Sequence, residues 1–219
     1  MATDYLKEAR RVFDTEIEAL CRTKEVLDDT FAEIVRAISG CRGKVILCGM
    51  GKSGHVAKKI SATMSSLGTS SCYLHPGEAM HGDLGMVTDA DLVILISHSG
   101  ESMEILQLIP ALKVIGAGTV AITSNGNSTL ARESGLVQVM PAVREACSLN
   151  LAPTSSTTAV LAYGDALAVA ASIEYGFCEE NFALFHPAGS LGKRVLLRVR
   201  DIMATGEDMP IVREKALIS

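Results

Sequence analysis

Apolar residues near the amino terminus recur at the spacing of an α-helix. From Leu6 to Ile38 they return every three, four or seven positions, and the stripe stops at Gly40. This pattern predicts one long amphipathic helix of about thirty residues. Such a helix lies either against another subunit or on a face of the sheet that follows, and the pattern leaves both placements open.

Short apolar runs that alternate with helical segments follow this stripe. Strands are predicted at 44–48, 71–74, 91–96, 119–123 and 136–140, and helices at 53–67, 103–115 and 156–175. This alternation is typical of a parallel sheet with helices on both faces. The sequence therefore predicts an α/β fold, a doubly wound five-stranded parallel sheet, whose ligands bind beyond the carboxyl ends of the strands.

Composition and net charge argue against several classes of protein. The chain has 219 residues, enough for one core or slightly more, and its net charge of −5 argues against a nucleic-acid partner. The six cysteines contain no Cys-x-x-Cys pair, which indicates reduced thiols rather than a zinc or disulfide scaffold. We see neither a signal peptide nor an apolar run approaching the ~20 residues of a membrane span. We therefore expect a cytoplasmic protein without a membrane partner.

A glycine-rich loop follows the first predicted strand. Residues 49–54 read Gly-Met-Gly-Lys-Ser-Gly and satisfy the dinucleotide pattern Gly-x-Gly-x-x-Gly. A dinucleotide site needs an acid near the end of the next strand, where Leu74 and His75 stand, and a Walker A loop needs a glycine where Ile46 stands. Both nucleotide interpretations are therefore weak. What remains is an anion site at a helix N-terminus, with Lys52 and Ser53 beside it.

A serine-rich turn follows the most apolar strand. Residues 97–102, which we call the serine cradle, read Ser-His-Ser-Gly-Glu-Ser and precede a helix. A capping turn needs one serine, whereas three hydroxyls and several amides can surround a phosphate with neutral donors. The cradle therefore predicts a phosphate site built from Ser97, Ser99 and Ser102.

A third polar run opens the alanine-rich helix. Residues 153–158 read Pro-Thr-Ser-Ser-Thr-Thr and include Ser156 and Thr157. The run either caps the helix or closes the ligand pocket from its far side, and by itself it does not decide between them.

Candidate acid–base groups stand in the same loops. Aldose–ketose isomerisation needs a base for the proton alpha to the carbonyl, and a cation or imidazole for the enediolate oxygen. Glu145 or Glu104 would be the base, because a carboxylate in a partly desolvated site gains basicity. Lys52 or a histidine would be the electrophile. His75 and His81 flank a Pro-Gly break and share no helical face, so an acid–base role for His81 is favoured over a catalytic metal.

Five segments together resemble the sugar isomerase (SIS) domain of D-arabinose-5-phosphate isomerases. They are Gly-Met-Gly-Lys-Ser-Gly, His-Pro-Gly-Glu-Ala-x-His-Gly-Asp-Leu-Gly-Met-Val, Ser-x-Ser-Gly-Glu-Ser, Leu-Ala-Pro-Thr-Ser-Ser-Thr-Thr-Ala and Gly-Asp-Ala-Leu-Ala-Val. The resemblance extends from about residue 5 to residue 212. It implies interconversion of D-ribulose 5-phosphate and D-arabinose 5-phosphate, the entry to Kdo for bacterial lipopolysaccharide or capsule.

The resemblance also implies roles for individual residues. The family's catalytically relevant lysine, two glutamates and carboxyl-terminal histidine fall on Lys52, Glu104, Glu145 and His186, and its substrate-contacting histidine falls on His81. Further family contacts fall on Gly68, Thr69 and residues 141–143. The family's metal-binding histidine falls on His75, where zinc inhibits, so no cofactor is required. His98 and Met103 occupy variable positions from which no change of activity is inferred.

The sequence also predicts a domain division and an oligomeric state. Residues 1–198 form the SIS domain, and residues 199–219 resemble the start of a CBS domain. The long apolar stripe predicts a homo-oligomer, with a tetramer as the preferred size. Two alternatives stay open: a regulatory SIS module that senses a phosphosugar, and an isomerase of another sugar phosphate.

Overall fold

The computed structural model describes residues 4–196, 198, 203–209 and 211. The chain divides into two compact units, Met1–Phe177 and Cys178–Ser219. The first unit contains the sheet and nearly all of the predicted site residues, and the second contains His186.

Five parallel strands form the sheet of the first unit. They are β1 (Val45–Gly49), β2 (Ser71–Leu74), β3 (Leu92–Ile96), β4 (Gly118–Thr123) and β5 (Leu136–Val139). Their order across the sheet is β2-β1-β3-β4-β5, and all four pairings are parallel. The predicted strands and the doubly wound topology are thereby confirmed, with strand ends that differ by one residue at most.

The described residues of the first unit form eight helices. They are α1 (Tyr5–Glu25), α2 (Asp29–Ser39), α3 (Gly51–Ser66), α4 (Pro76–Ala79), α5 (Met103–Leu106), α6 (Ile109–Ile115), α7 (Thr129–Glu133) and α8 (Ser155–Glu174). A short 3-10 turn, Asp83–Met86, lies between α4 and β3.

The residues of the amino-terminal apolar stripe form two helices, α1 and α2, so the prediction of one continuous helix is wrong. The chain breaks after Val26, and the Asp28 side chain accepts a hydrogen bond from the Thr30 amide at 2.9 Å, so that a new helix begins. The long helix α1 remains, whereas α2 packs into the core through Ile34 and Ile38.

The helix predicted over 103–115 is likewise divided, into α5 and α6. Pro110 stands in the first turn of α6, where the missing amide hydrogen is tolerated. The glutamate predicted to act as a base, Glu104, consequently lies on a helix of only four residues.

Apolar side chains cover both faces of the sheet. One core cluster joins alternate residues of the strands to α2, α3 and α8, and a second joins the other strand residues to α5, α6 and α7. At the crossing of α3 and α8, a Cβ on Gly164 would lie 2.2 Å from Cδ1 of Ile60, so only glycine lets the helices approach this closely.

By length and composition alone, α8 could cross a membrane. In the structure it packs against α1, α2 and α3, and Tyr163, Leu167, Ala168 and Ala171 belong to the core. This placement is that of a central core helix.

The second unit contains α9 (Glu179–Phe185), α10 (Ser190–Leu196) and a 3-10 turn, Gly206–Asp208. Compactness divides the chain at Phe177, whereas the sequence-based boundary stands at residue 198; that domain assignment stays a prediction. Much of the predicted CBS-like tail, 199–219, lies outside the described residues.

Candidate active site

The topology of the sheet places the site. The chain passes from β1 outward to β2 and then crosses to β3 on the other side of β1. The connections that leave the paired carboxyl ends of β1 and β3 therefore run in opposite directions and leave a crevice between them, the usual ligand position in this architecture. The glycine-rich loop follows β1 and the serine cradle follows β3, so both predicted anion loops flank this crevice.

A cavity of about 320 Å³ opens at this edge of the sheet. That volume is at the small end of ligand pockets, which span ~300–1,000 Å³. Its polar lining comes from three loops and from the first turns of α3 and α8, and it includes Ser53, His98, Ser124, Glu145, Ser156 and Thr157. Five of the predicted site residues thus meet around one cavity: Ser53, Val143, Glu145, Ser156 and Thr157.

The Glu145 carboxylate is bound to the start of α8. One oxygen, Oε2, accepts from the Thr154 amide at 2.7 Å, the Thr154 hydroxyl at 3.1 Å and the Ser156 amide at 3.3 Å. The other oxygen, Oε1, accepts from the Ser156 hydroxyl. Glu145 therefore caps α8 across a loop, where a negative charge also suits the helix dipole. The polar run 153–158 both receives this cap and closes the cavity.

This arrangement lowers the pKa of Glu145. Burial alone would raise the pKa, but the hydrogen bonds from Ser156 and Thr154 outweigh it and favour the charged carboxylate. The expectation that partial desolvation makes Glu145 more basic is therefore wrong, because its oxygens are occupied by the helix terminus.

Close backbone packing shapes the glycine-rich loop. Gly51 has a φ of +57°, and a Cβ on Gly54 would lie 2.5 Å from the Gly49 carbonyl oxygen. The Tyr73 hydroxyl donates to that same carbonyl at 2.9 Å. Because Met50 provides no side-chain cap for α3, the first amides of this helix have no side-chain acceptor there and suit an anion.

Internal hydrogen bonds hold the serine cradle in shape. The Ser97 hydroxyl accepts from the Gly100 amide at 3.1 Å and lies 2.9 Å from the Ser102 hydroxyl, while the Ser99 hydroxyl accepts from the Glu101 amide at 3.1 Å. Gly100 has a φ of +68°, and a Cβ there would lie 2.1 Å from the Ser128 hydroxyl oxygen. The predicted serines order the turn, and among its side chains it is His98 that lines the cavity.

Lys52 and Glu104 lie beside the cavity rather than in its wall. Lys52 is exposed at the start of α3, next to Ser53, and Glu104 is exposed on α5. Within the described part of the chain, neither side chain makes a hydrogen bond or ion pair, so both are available to a ligand.

The histidines after β2 lie at the far end of the same edge. His75 and His81 follow β2 and Glu145 follows β5, four strand positions away. Neither histidine lines the cavity that contains Glu145. His75 caps α4, its Nδ1 accepting from the Gly77 amide at 3.1 Å, and His81 is exposed. No group of three potential metal ligands occurs among the described residues.

Gly68 and Thr69 lie at the opposite edge of the sheet. They follow the end of α3 and precede β2, so they stand at the amino ends of the strands. Within this chain they do not reach the cavity, and their expected contact with the same ligand is not supported. A Cβ on Gly68, whose φ is +94°, would lie 2.9 Å from the Phe177 ring, and Thr69 is buried, which gives both residues a structural role.

His186 belongs to the second unit. Its ring stacks on Phe182 at a centroid distance of 3.9 Å, and its Nδ1 lies 2.9 Å from the Phe182 carbonyl oxygen. The catalytic role implied for His186 stays a prediction.

Residues 38–170 match the SIS domain family. The chain belongs to the SIS domain family. The Salmonella typhi Arabinose 5-phosphate isomerase KdsD is 48% identical over 215 residues, which are 98% of this chain and 66% of that protein. The Escherichia coli O6:H1 (strain CFT073) Arabinose 5-phosphate isomerase KpsF is 49% identical over 209 residues, 95% of this chain and 63% of that protein. The chain therefore spans slightly less than two thirds of these relatives.

A solved structure agrees with the fold of this SIS domain. The E. coli CFT073 protein c3406, in complex with arabinose 5-phosphate, superposes with a TM-score of 0.80 at 42% identity. The match covers 85% of this chain and 100% of that chain.

Part of the wall of the cavity in this SIS domain consists of residues whose role no sequence motif marks. His98, Ser124 and Asn150 line it, and none was assigned a role. His98 stands inside the serine cradle, so its position after β3 could have drawn attention. Ser124 and Asn150 follow β4 and β5 without any motif, and only the folded chain brings them to the cavity.

Replacing Glu145 should reveal its cap as pH-dependent stability. Because the pKa of Glu145 is lowered in the folded state, its contribution is present above the unfolded value of about 4.3 and is lost as the pH falls through the folded value. Glu145→Gln should therefore be less stable than wild type in urea unfolding at pH 7, and the difference should shrink toward pH 3.

Glu104→Gln is the matched control, since this glutamate is exposed and unpaired in the described structure. It should unfold like wild type at both pH values. A Glu145→Gln deficit that is the same at pH 7 and pH 3 would show that the carboxylate charge does not stabilise α8.

Proposed function

We propose that this protein is an isomerase that interconverts D-ribulose 5-phosphate and D-arabinose 5-phosphate through an enediolate and so feeds Kdo biosynthesis. The observation that carries the proposal is the cavity at the switch point, where an ionised carboxylate and hydroxyls meet between two anion-binding loops. Relatives named as arabinose 5-phosphate isomerases, 48–49% identical over nearly the whole chain, support this substrate.

The two loops at the crevice would bind the phosphate of the substrate, and the cavity would bind its sugar. The phosphate would lie against the serine cradle and the free amides at the start of α3, with Lys52 nearby, because amides, hydroxyls and a cation suit an anion. The sugar would then occupy the cavity lined by Ser156 and Thr157. The carbons at which the reaction takes place would then lie beside the polar side chains of the cavity wall.

The carbon-bound proton requires a carboxylate base. Glu104 and Glu145 are the candidates; Glu104 has unoccupied oxygens but lies outside the cavity wall, and Glu145 lines the cavity but caps α8. The hydrogen bonds from Ser156 and Thr154 lower the pKa of Glu145 and so make this carboxylate less basic in the free protein. Lys52, His81 and His186 remain the proposed electrophilic and substrate-contacting groups.

The proposed reaction needs no metal or other cofactor, because proton transfers alone interconvert the two sugars. Zinc would act only as an inhibitor at His75, which already caps α4 through Nδ1. The ring nitrogen that remains, Nε2, is the one able to bind such an ion.

We further propose a cytoplasmic homo-oligomer, with a tetramer as its size. Large apolar side chains on α1 are exposed: Leu6 by 69%, Phe13 by 69% and Ile17 by 55%. They belong to the predicted stripe, yet the core does not cover them, which supports burial against a second copy of the chain.

Incubation with D-ribulose 5-phosphate tests the function directly. We expect aldose product without added metal, and unchanged rates after chelation with EDTA.

Ser99→Ala should raise KM with little change of kcat, since substrate and transition state carry the same phosphate. Pentulose phosphates that bind without turnover would instead identify a phosphosugar sensor, and faster turnover of a hexose or heptose phosphate would identify a different isomerase.

The molar mass in solution tests the assembly. Light scattering should give a multiple of the 23.1 kDa chain, four-fold for the tetramer. Phe13→Glu together with Ile17→Glu should lower that mass, because buried charges would have to be desolvated in the interface. Glu18→Lys, an exposed change of charge on the same helix, is the control for α1. A monomer in wild type would contradict the proposed assembly.

A further inference from the structure

The cavity offers few groups that can exchange a proton. Among the described residues that line it, the residue types that most often act as general acid or base are represented by His98 and Glu145. Glu145 is committed to the start of α8 by four hydrogen bonds. His98 is therefore the lining group whose proton is not tied to capping a helix.

His98 is held by the loop after β4. Its carbonyl oxygen accepts from the Ser124 amide at 2.9 Å and from the Thr123 hydroxyl at 3.2 Å. Its ring Nδ1 lies 3.0 Å from the Ser124 hydroxyl oxygen. Both the backbone and the imidazole of His98 are thus fixed by one neighbouring loop, while Nε2 makes no hydrogen bond to any described residue.

The Ser124 hydroxyl is a suitable partner for a histidine that exchanges protons. A hydroxyl can donate or accept, so it can serve an imidazole that is protonated at Nδ1 or at Nε2. The ring can therefore gain or lose a proton at Nε2 while the hydroxyl rotates and the Nδ1 contact persists. This pairing orients the ring without fixing its tautomer.

We propose that His98 is a catalytic residue that moves the oxygen-bound proton of the sugar between O1 and O2 during isomerisation, with Ser124 as its positioning residue. The proposal rests on the isomerase function proposed above and adds a role to it. It is supported by the position of His98 in the cavity wall and by the contacts of His98 with Thr123 and Ser124.

The proton balance of the reaction defines the step. In the ketose, the carboxylate base removes a proton from C1, and the C1–C2 enediolate forms with its negative charge at O2. His98 donates a proton from Nε2 to O2 and accepts the proton of O1, so the O1 carbonyl forms as the base returns its proton to C2. One proton moves between carbons and one between oxygens, and no outside reagent is consumed.

Because different groups move the carbon-bound and the oxygen-bound proton, the two transfers can be measured as separate rates. Exchange of the C1 hydrogen of ribulose 5-phosphate with D2O needs only the carbon base, whereas formation of the aldose also needs the oxygen proton to move. In His98→Gln, which keeps a polar side chain, aldose formation should fall by about 10²-fold. C1 exchange should fall by less than ten-fold, so the ratio of exchange to conversion rises.

Two further variants complete the experiment. Ser124→Ala should raise the ratio of exchange to conversion in the same direction but less, because the ring stays and loses only its orienting partner. His55→Gln is the matched control: it is an exposed histidine on α3 that does not line the cavity, and both rates should equal those of wild type.

The outcomes are distinct. If exchange and conversion fall together in His98→Gln, or if only KM rises, His98 is a structural or binding residue and the inference is wrong. Unchanged rates in that variant overturn it equally. A wild-type protein that converts no pentulose phosphate would overturn the proposed function itself, whereas an active wild type with a fully active His98→Gln overturns only the role of His98.

Discussion

The bond between the Glu145 carboxylate and the amino-terminal end of α8 is the contact on which the cavity depends. Without it, the Thr154 and Ser156 amides would have no acceptor in the described structure, and the loop 141–154 would lose the bonds that Glu145 makes to the helix terminus. Arg11 on α1 adds a second attachment by donating to the Ala146 carbonyl oxygen at 2.5 Å. The far wall of the cavity is therefore a loop held at both a helix terminus and a neighbouring helix.

The sheet and its two anion loops could be predicted because their causes are local. Apolar runs such as 92–96 are buried on both faces of a parallel sheet, and this shows in the sequence as uninterrupted hydrophobicity. The glycine-rich loop and the serine cradle are equally local, since their shapes follow from glycines at positive φ such as Gly51 and Gly100. Strand order then places both at one crevice.

What the sequence could not predict depends on contacts between distant segments. The apolar period runs through residues 26–28, and only the Asp28 cap shows that the helix restarts there. Glu145 looks like a desolvated base until its partners nine and eleven residues away occupy its oxygens. Gly68 and Thr69 match family contacts in sequence, yet the direction of α3 takes them to the opposite edge of the sheet. His98 gains importance only through its neighbour Ser124.

Backbone amide exchange at the start of α8 measures whether Glu145 holds this helix terminus. In wild type, the amides of Thr154 and Ser156 should exchange slowly, because Glu145 is their acceptor. In Glu145→Ala both amides should lose protection, while that of Thr158, which donates to the Thr154 carbonyl, should lose less. The amide of Leu167, in the buried middle of α8, should be unchanged. Equal protection of Thr154 and Ser156 in the two proteins would show that Glu145 does not hold the helix, and the account of the cavity would fail.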